Sequence, residues 1–344
     1  MVISPKSRVK EEGIEGFKLD VKDKKIISML SEDGRMPLSA IAKRVRLSRD
    51  AIDYRIKRLI KNGIILGFVP KIDLRCFGYD TYHVFMILNI LNEERKRKLI
   101  ETLVKHPNTI SVIEYHDTWD LEWVLVAKNI KEFDIIVIDI TKEYGDIITR
   151  KDELTIIKGY KTIQLPGTIN TDVAYIKSKN VGKCKKMKMD KIDLKILEAL
   201  SENSRISTYD ISKKLKISPD TISYRIKKLT NSNIIYGFMA LFNLRALGYR
   251  WYTFCINVKT FDLNDEMKFK EFISNCPYII RAVKVFGDWD LLVYITADSS
   301  KSFHTTFKQI QDNLSEIILD YQTWIAFKEH TYNSVPKVLI NGLT

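Results

Sequence analysis

Residues 20–31 read DVKDKKIISMLS, which sets Val21, Ile26, Ile27 and Leu30 along one face of a helix. A shorter helix is predicted over Leu38–Val45, with Ile41, Ala42 and Val45 turned inward, and a third from Ser48 to about Lys61. Ser48 is a favourable N-cap, and Gly63 suits the left-handed position past a helix end. Three short helices with a tight turn before the third make a helix-turn-helix unit. The apolar, β-branched run Ile64–Ile72 then supplies either a wing or a connecting strand. From Tyr79 the period shortens toward that of strands. The order is strand Tyr82–Ile90, helix Glu93–Lys105, strands Thr109–Tyr115 and Leu121–Ala127, helix Lys131–Tyr144 and strand Ile147–Ile157. This β-α-β-β-α-β order gives an antiparallel sheet with both helices on one face, the ferredoxin-like arrangement. Its other face is apolar and must find cover.

The cover comes from a second copy. Shifted by 170 positions, the chain of 344 residues aligns with itself without a gap: Leu19–Leu30 falls on Met189–Leu200, IDYRIK from Ile52 on ISYRIK from Ile222, and Trp119-Asp120-Leu121 on Trp289-Asp290-Leu291. The fold class expected is therefore α+β, two copies of a winged helix-turn-helix domain followed by a ferredoxin-like βαββαβ domain. The boundaries are a tail over 1–18, helix-turn-helix domains over 19–63 and 189–233, connecting strands over 64–78 and 234–248, sheet domains over 79–160 and 249–330, a basic linker over 161–188 and a tail over 331–344.

Charge sharpens this division. The net charge is +13, and it is unevenly spread. Asp20–Gly63 holds twelve Lys/Arg against six Asp/Glu and Asp190–Asn233 nine against six, whereas both sheet domains are acidic. Basic helical modules beside acidic sheets fit contact with duplex DNA through the helices. On the third helix Ile52, Ile56 and Leu59 face the core, which leaves its other face for recognition. A recognition helix reads bases with its first turns, so Ser48, Arg49, Asp53 and Tyr54 are candidates for base or sugar contacts. In the second copy their counterparts are Ser218, Ser223 and Tyr224, with Pro219 in place of Arg49. Lys57, Arg58, Lys227 and Lys228 are candidates for phosphate. Because the copies differ on this face, the half-sites they read are expected to be unequal.

Other chemistry is sparse. The five histidines do not recur at matching repeat positions, and neither a phosphate-binding glycine loop nor a nucleophile elbow occurs, so no catalytic residue is assigned. The four cysteines show no CxxC pair, which argues against a structural zinc or a disulfide scaffold, and no metal or other cofactor is expected. The apolar runs are too short to span a bilayer and the N-terminal residues turn charged early, so a cytoplasmic protein without a membrane partner is expected.

Asp193–Leu200 (DLKILEAL), Ile222–Leu229 (ISYRIKKL), Asn233–Gly237 (NIIYG) and Phe286–Leu292 (FGDWDLL) together resemble the Lrp/AsnC family of transcription regulators, and do so twice along the chain. The resemblance implies that the sheet domain is a RAM domain, which dimerises through its sheet and takes a small effector such as an amino acid near a Gly-x-x-Asp turn. It implies Gly287, Asp288 and Asp290 as effector contacts in the second copy. In the first copy Asp117 and Asp120 align, with Asp117 standing where the glycine is expected, so that site is altered. The tandem is then a covalent pseudo-dimer, with further homo-oligomerisation an open expectation. Siroheme decarboxylases resemble the same architecture and form the enzymatic alternative, although the His- and Arg-bearing segments associated with them are not seen. A third alternative is an interaction module that binds no DNA.

Overall fold

Helix α1 (Val21–Glu32) starts at Asp20, whose carboxylate accepts from the Asp23 amide at 2.7 Å while the Asp23 side chain accepts from the Asp20 amide. In the computed structural model, which describes residues 7–9, 18–89, 93–169 and 189–341, α6 (Lys191–Glu202) repeats this box with Asp190 and Asp193. Helices α2 (Leu38–Val45) and α7 (Thr208–Leu215) end at Arg46 and Lys216, both left-handed with φ 57°. That reversal delivers Ser48 and Ser218 as N-caps of α3 (Arg49–Lys61) and α8 (Pro219–Asn231). The left-handed residue after α3 is Gly63 and after α8 is Asn233, two residue types that bear positive φ at low cost.

The segment that the sequence left as wing or connector is a connector. Strand β1 (Ile65–Ile72) pairs antiparallel with β6 (Ile235–Phe242) of the other copy, so the two helix-turn-helix units share one two-stranded sheet. Each unit also leans on the other copy's strand. The Gly34 amide donates to Phe238 O at 3.0 Å and the Ser204 amide to Phe68 O at 2.8 Å. A Cβ at Gly34 would lie 2.7 Å from the Met239 backbone, so only glycine permits this approach.

The first sheet domain contains β2 (Asp80–Leu88), α4 (Glu93–Lys105), β3 (Thr109–Tyr115), β4 (Leu121–Ala127), α5 (Ile130–Tyr144) and β5 (Ile148–Thr162). The second contains β7 (Arg250–Val258), α9 (Leu263–Asn275), β8 (Ile279–Gly287), β9 (Leu291–Ala297), α10 (Ser300–Leu314) and β10 (Ile318–Tyr332). Periodicity led us to expect two sheets meeting face to face. They also join at their edges into a closed barrel of order β10-β3-β4-β2-β5-β8-β9-β7. Strand β5 runs past its expected end at Ile157 to Thr162, and this extension pairs with β8, as the end of β10 pairs with β3. Both junctions have the same register, Ile156 opposite Val285 and Ala326 opposite Tyr115, so the copies are related by a pseudo-two-fold axis. Closure pairs the backbone groups that the edge strands of a lone sheet would expose.

Every strand of the barrel therefore has a helix-covered outer face and an inner face in the lumen. Val84, Trp123, Leu125 and Phe133 belong to the first outer core, while Phe85, Trp119, Leu154, Tyr294 and Trp324 belong to the core that includes the lumen. Residues 7–9 are tucked against this barrel: Val9 O accepts from the Glu329 amide at 2.9 Å, and Arg8 pairs with the buried Glu329 carboxylate at 2.5 Å. The expected tail over 331–344 needs correction, because β10 continues to Tyr332 and helix α11 (Lys337–Asn341) follows, its Val338 amide donating to Pro107 O at 2.9 Å. Most of the basic linker, residues 170–188, lies outside the described residues. Cys255 and Cys276 are free and buried.

Candidate nucleic-acid interface

The recognition helices are held by a salt-bridge clamp. Arg55 on α3 reaches back to Asp20 at 2.8 Å and Asp23 at 2.7 Å, and Arg225 on α8 reaches Asp190 and Asp193, each at 2.8 Å. The same aspartates cap α1 and α6, so one charged cluster fixes the helix start and the tilt of the recognition helix. Burial pushes the Asp20 carboxyl up, but the amide of Asp23 and the Arg55 guanidinium outweigh it and hold it below its ordinary value.

This arrangement sorts the candidates. Tyr54 and Tyr224 project from the middle of each helix, each 67 % exposed. Arg49, Lys57, Lys227 and Lys228 are exposed beside them, with Lys57 bridged to Asp53 at 2.6 Å. Ser48 and Ser218 are exposed, yet their hydroxyls accept from the Ala51 and Thr221 amides, so their oxygens already serve as caps. Ser223 and Asp53 are half-buried. Arg58 differs from the others: it is half-buried and its guanidinium meets the buried Asp23 carboxylate at 2.6 Å. Exposed cations also gather just before each recognition helix, outside the residues expected from the sequence: Lys43, Arg44 and Arg46 in one copy and Lys213, Lys214 and Lys216 in the other. The signal was present, since basic residues crowd the last turn of α2 and α7.

The turns between the second and third strands of each sheet have a different character. Asp120 and Asp290 point inward, and each carboxylate accepts a strand amide, from Leu88 at 2.7 Å and from Val258 at 2.9 Å. Asp288 accepts from the Glu153 amide across the copies at 3.1 Å, and Asp117 accepts from Ile325 at 2.8 Å. Gly287 sits at φ 141°, and a Cβ there would stand 2.1 Å from Glu153 O, so that turn lies flush on β5. The first-copy turn instead borders a cleft of about 240 Å³, lined by His116, Asp117, Arg245, Arg250, Trp251 and Phe327 among others.

A model of the AsnC-type helix-turn-helix domain matches residues 19–60, and one of winged helix-turn-helix DNA-binding domains matches residues 189–236. The HTH-type transcriptional regulator FL11 of Pyrococcus furiosus is 32% identical over 114 residues, which cover 33% of this chain and 74% of that protein. The leucine-responsive regulatory protein of Rhizobium meliloti is 30% identical over 119 residues, 34% of this chain and 76% of that protein. The chain belongs to the Lrp/AsnC family. Relatives of about half its length fit a chain that carries the Lrp/AsnC unit twice.

A solved structure, the siroheme decarboxylase NirDL, superposes with a TM-score of 0.58 over 94% of this chain and 99% of that one at 13% identity, which shows a shared fold. In the lumen Glu122 accepts from His83 Nδ1 at 2.6 Å, from the Tyr115 hydroxyl at 2.5 Å and from the Tyr294 hydroxyl at 2.8 Å. Burial lowers the His83 pKa and favours the neutral ring; it pushes Glu122 up, but the three donors outweigh it and keep the carboxylate ionised. His83 and Glu122 are fully buried, so the Glu122 charge is not presented to solvent. No helix among the described residues is long and apolar enough to cross a membrane.

Proposed function

We propose that the chain is a sequence-specific double-stranded DNA-binding transcriptional regulator in which one polypeptide supplies both halves of a dimer. The observation that carries this reading is the pair of clamped recognition helices, each presenting an exposed tyrosine and cations, joined across the pseudo-two-fold axis by β1 and β6. Tyr54, Arg49 and Asp53 are our candidates for base or sugar contact in one half-site and Tyr224 and Ser223 in the other; Lys57, Lys227 and Lys228 neutralise phosphates. Pro219 stands where Arg49 does, so the preferred operator is an imperfect palindrome. Selection of bound duplexes from a random library, followed by footprinting, tests this. A strictly symmetric operator, or binding whose affinity is indifferent to salt, refutes it.

A small effector is part of the same reading. The cleft beside Asp117 carries Arg245 and Arg250, which suit a carboxylate, against Trp251 and Phe327. Asp290 and Asp120 then act by holding their turns rather than by touching the ligand. Thermal shift against a panel of amino acids, repeated with Arg250→Ala, tests the assignment. The enzymatic alternative rests on the shared fold with NirDL. A haem-type absorbance change on adding siroheme supports it, and its absence favours the regulator. A regulator of transcription acts where DNA is, and on that ground we place the protein in the cytoplasm.

A further inference from the structure

The two copies share a fold and a register, yet several of the side-chain contacts that join them have no mirror image. Inside the lumen the first copy contributes His83, Tyr115 and Glu122; the positions equivalent by the 170-residue shift are Thr253, Val285 and Leu292. The second copy answers with Tyr294, whose hydroxyl donates to Glu122 at 2.8 Å, and with Thr253, whose hydroxyl lies 2.7 Å from that of Tyr115. The first-copy counterpart of Tyr294 is Val124. A second asymmetric contact lies at the β3–β10 junction, where Glu114 meets His330 at 2.8 Å; the equivalent residues, Lys284 and Tyr160, do not form that pair. A third is Lys161, whose ammonium donates to the Ile273 and Cys276 carbonyls at the end of α9, both at 2.8 Å, where the equivalent residue is Thr331.

We propose that this barrel interface is heterospecific: the first copy pairs with the second in preference to another first copy, within one chain and between chains alike. Pairing two first copies replaces Tyr294 by Val124 and Thr253 by His83, so Glu122 loses a donor and a second buried carboxylate enters the lumen. Pairing two second copies sets the Tyr294 hydroxyl against Leu292, with no acceptor. Each like pairing abandons a hydrogen bond to a charged group in a dry interior, which disfavours it on the order of 10–100-fold. Specificity of this kind comes from what the wrong partner leaves unsatisfied. The covalent link then raises the local concentration of a partner that the lumen already selects. The inference does not depend on DNA binding, since no residue of α3 or α8 takes part.

A cleavage sequence placed within residues 170–188 of the full chain, and cut after purification, separates the copies without removing either. After unfolding in urea and refolding at equal concentration, native mass spectrometry is expected to show unlike pairs alone. Like pairs approaching a statistical mixture overturn the proposal. If the cut fragments do not refold, two uncut variants decide. T253H/V285Y/L292E/Y294V makes both lumen faces first-copy in type, and adding H83T/Y115V/E122L/V124Y exchanges the two faces completely. The first is expected to lose its cooperative urea transition or shift it by about 1 M or more, and the exchanged variant to recover most of it. A first variant as stable as the parent, or an exchanged variant that recovers nothing, overturns the proposal.

Discussion

Replacing Arg225 by alanine should cost more than the same change at Arg55, although the two residues are equivalent by the repeat. Arg225 is the ion-pair partner of Asp193, a carboxylate only 2 % exposed, at 2.8 Å. Asp23 in the first copy is bound by Arg55 at 2.7 Å and also by Arg58 at 2.6 Å, so it keeps a cation when Arg55 is removed. The residue equivalent to Arg58 is the exposed Lys228. A buried charge stripped of its partner costs about 3–5 kcal/mol, but Asp193 keeps the Asp190 amide at 3.2 Å, so we expect about 2–3 kcal/mol for Arg225→Ala and about 1 kcal/mol for Arg55→Ala. The assay has an internal control. All five tryptophans (Trp119, Trp123, Trp251, Trp289 and Trp324) lie in the barrel domains, so their fluorescence follows the barrel while helical circular dichroism also follows the helix-turn-helix units. With a urea m-value of about 1 kcal/mol/M for a unit this small, part of the dichroism loss should move down by about 2 M in Arg225→Ala. The tryptophan transition should stay close to its parent value. Equal effects of the two substitutions, or a tryptophan transition that moves with the dichroism, would refute the clamp argument.

Three further outcomes are expected. Burial pushes Glu114 up, but His330 and Lys96 outweigh it and draw its pKa down from 4.5 to about 2. The stability it adds is therefore fully present above about pH 4.5 and declines as pH falls from there toward 2, so the gap between the parent and Glu114→Gln in urea melts should be flat from pH 5 to 7 and narrow at pH 3 to 4. Gly287→Ala should destabilise by more than about 2 kcal/mol by thermal denaturation, because its Cβ meets Glu153 O at 2.1 Å and strains a residue at φ 141°. Tyr54→Ala and Tyr224→Ala should leave the melting temperature nearly unchanged, within about 0.5 kcal/mol, while each weakens binding to the selected duplex about tenfold or more by fluorescence anisotropy.

The helix-turn-helix units were legible because their signals are local. Ser48, Pro219 and Gly63 act within one turn of the chain, and the stripe of Ile52, Ile56 and Leu59 declares the buried face of its own helix. Arg55 stands beside that stripe in sequence, and from there its guanidinium reaches the buried Asp23. The ion pair of Arg58 was not legible, since the Asp23 that it meets lies 35 residues away in sequence and reads there as part of a capping box. Asp120 and Asp290, in the two sheet turns, show the same limit of local reading, because the Leu88 and Val258 amides that they accept from lie 32 residues away.

By itself the sequence determined the repeat, the order of elements, the two recognition helices and where the positive charge lies, all of which follow from periodicity, caps and composition along the chain. Only the tertiary structure decided how the copies join. Closure into a barrel depends on strand edges, β5 with β8 and β10 with β3, and main-chain edges are alike in every sequence. The lumen cluster depends on side chains from both copies converging after closure. His83, Glu122 and Tyr294 are scattered over more than 200 positions, so no window of sequence contains the pairing they enforce.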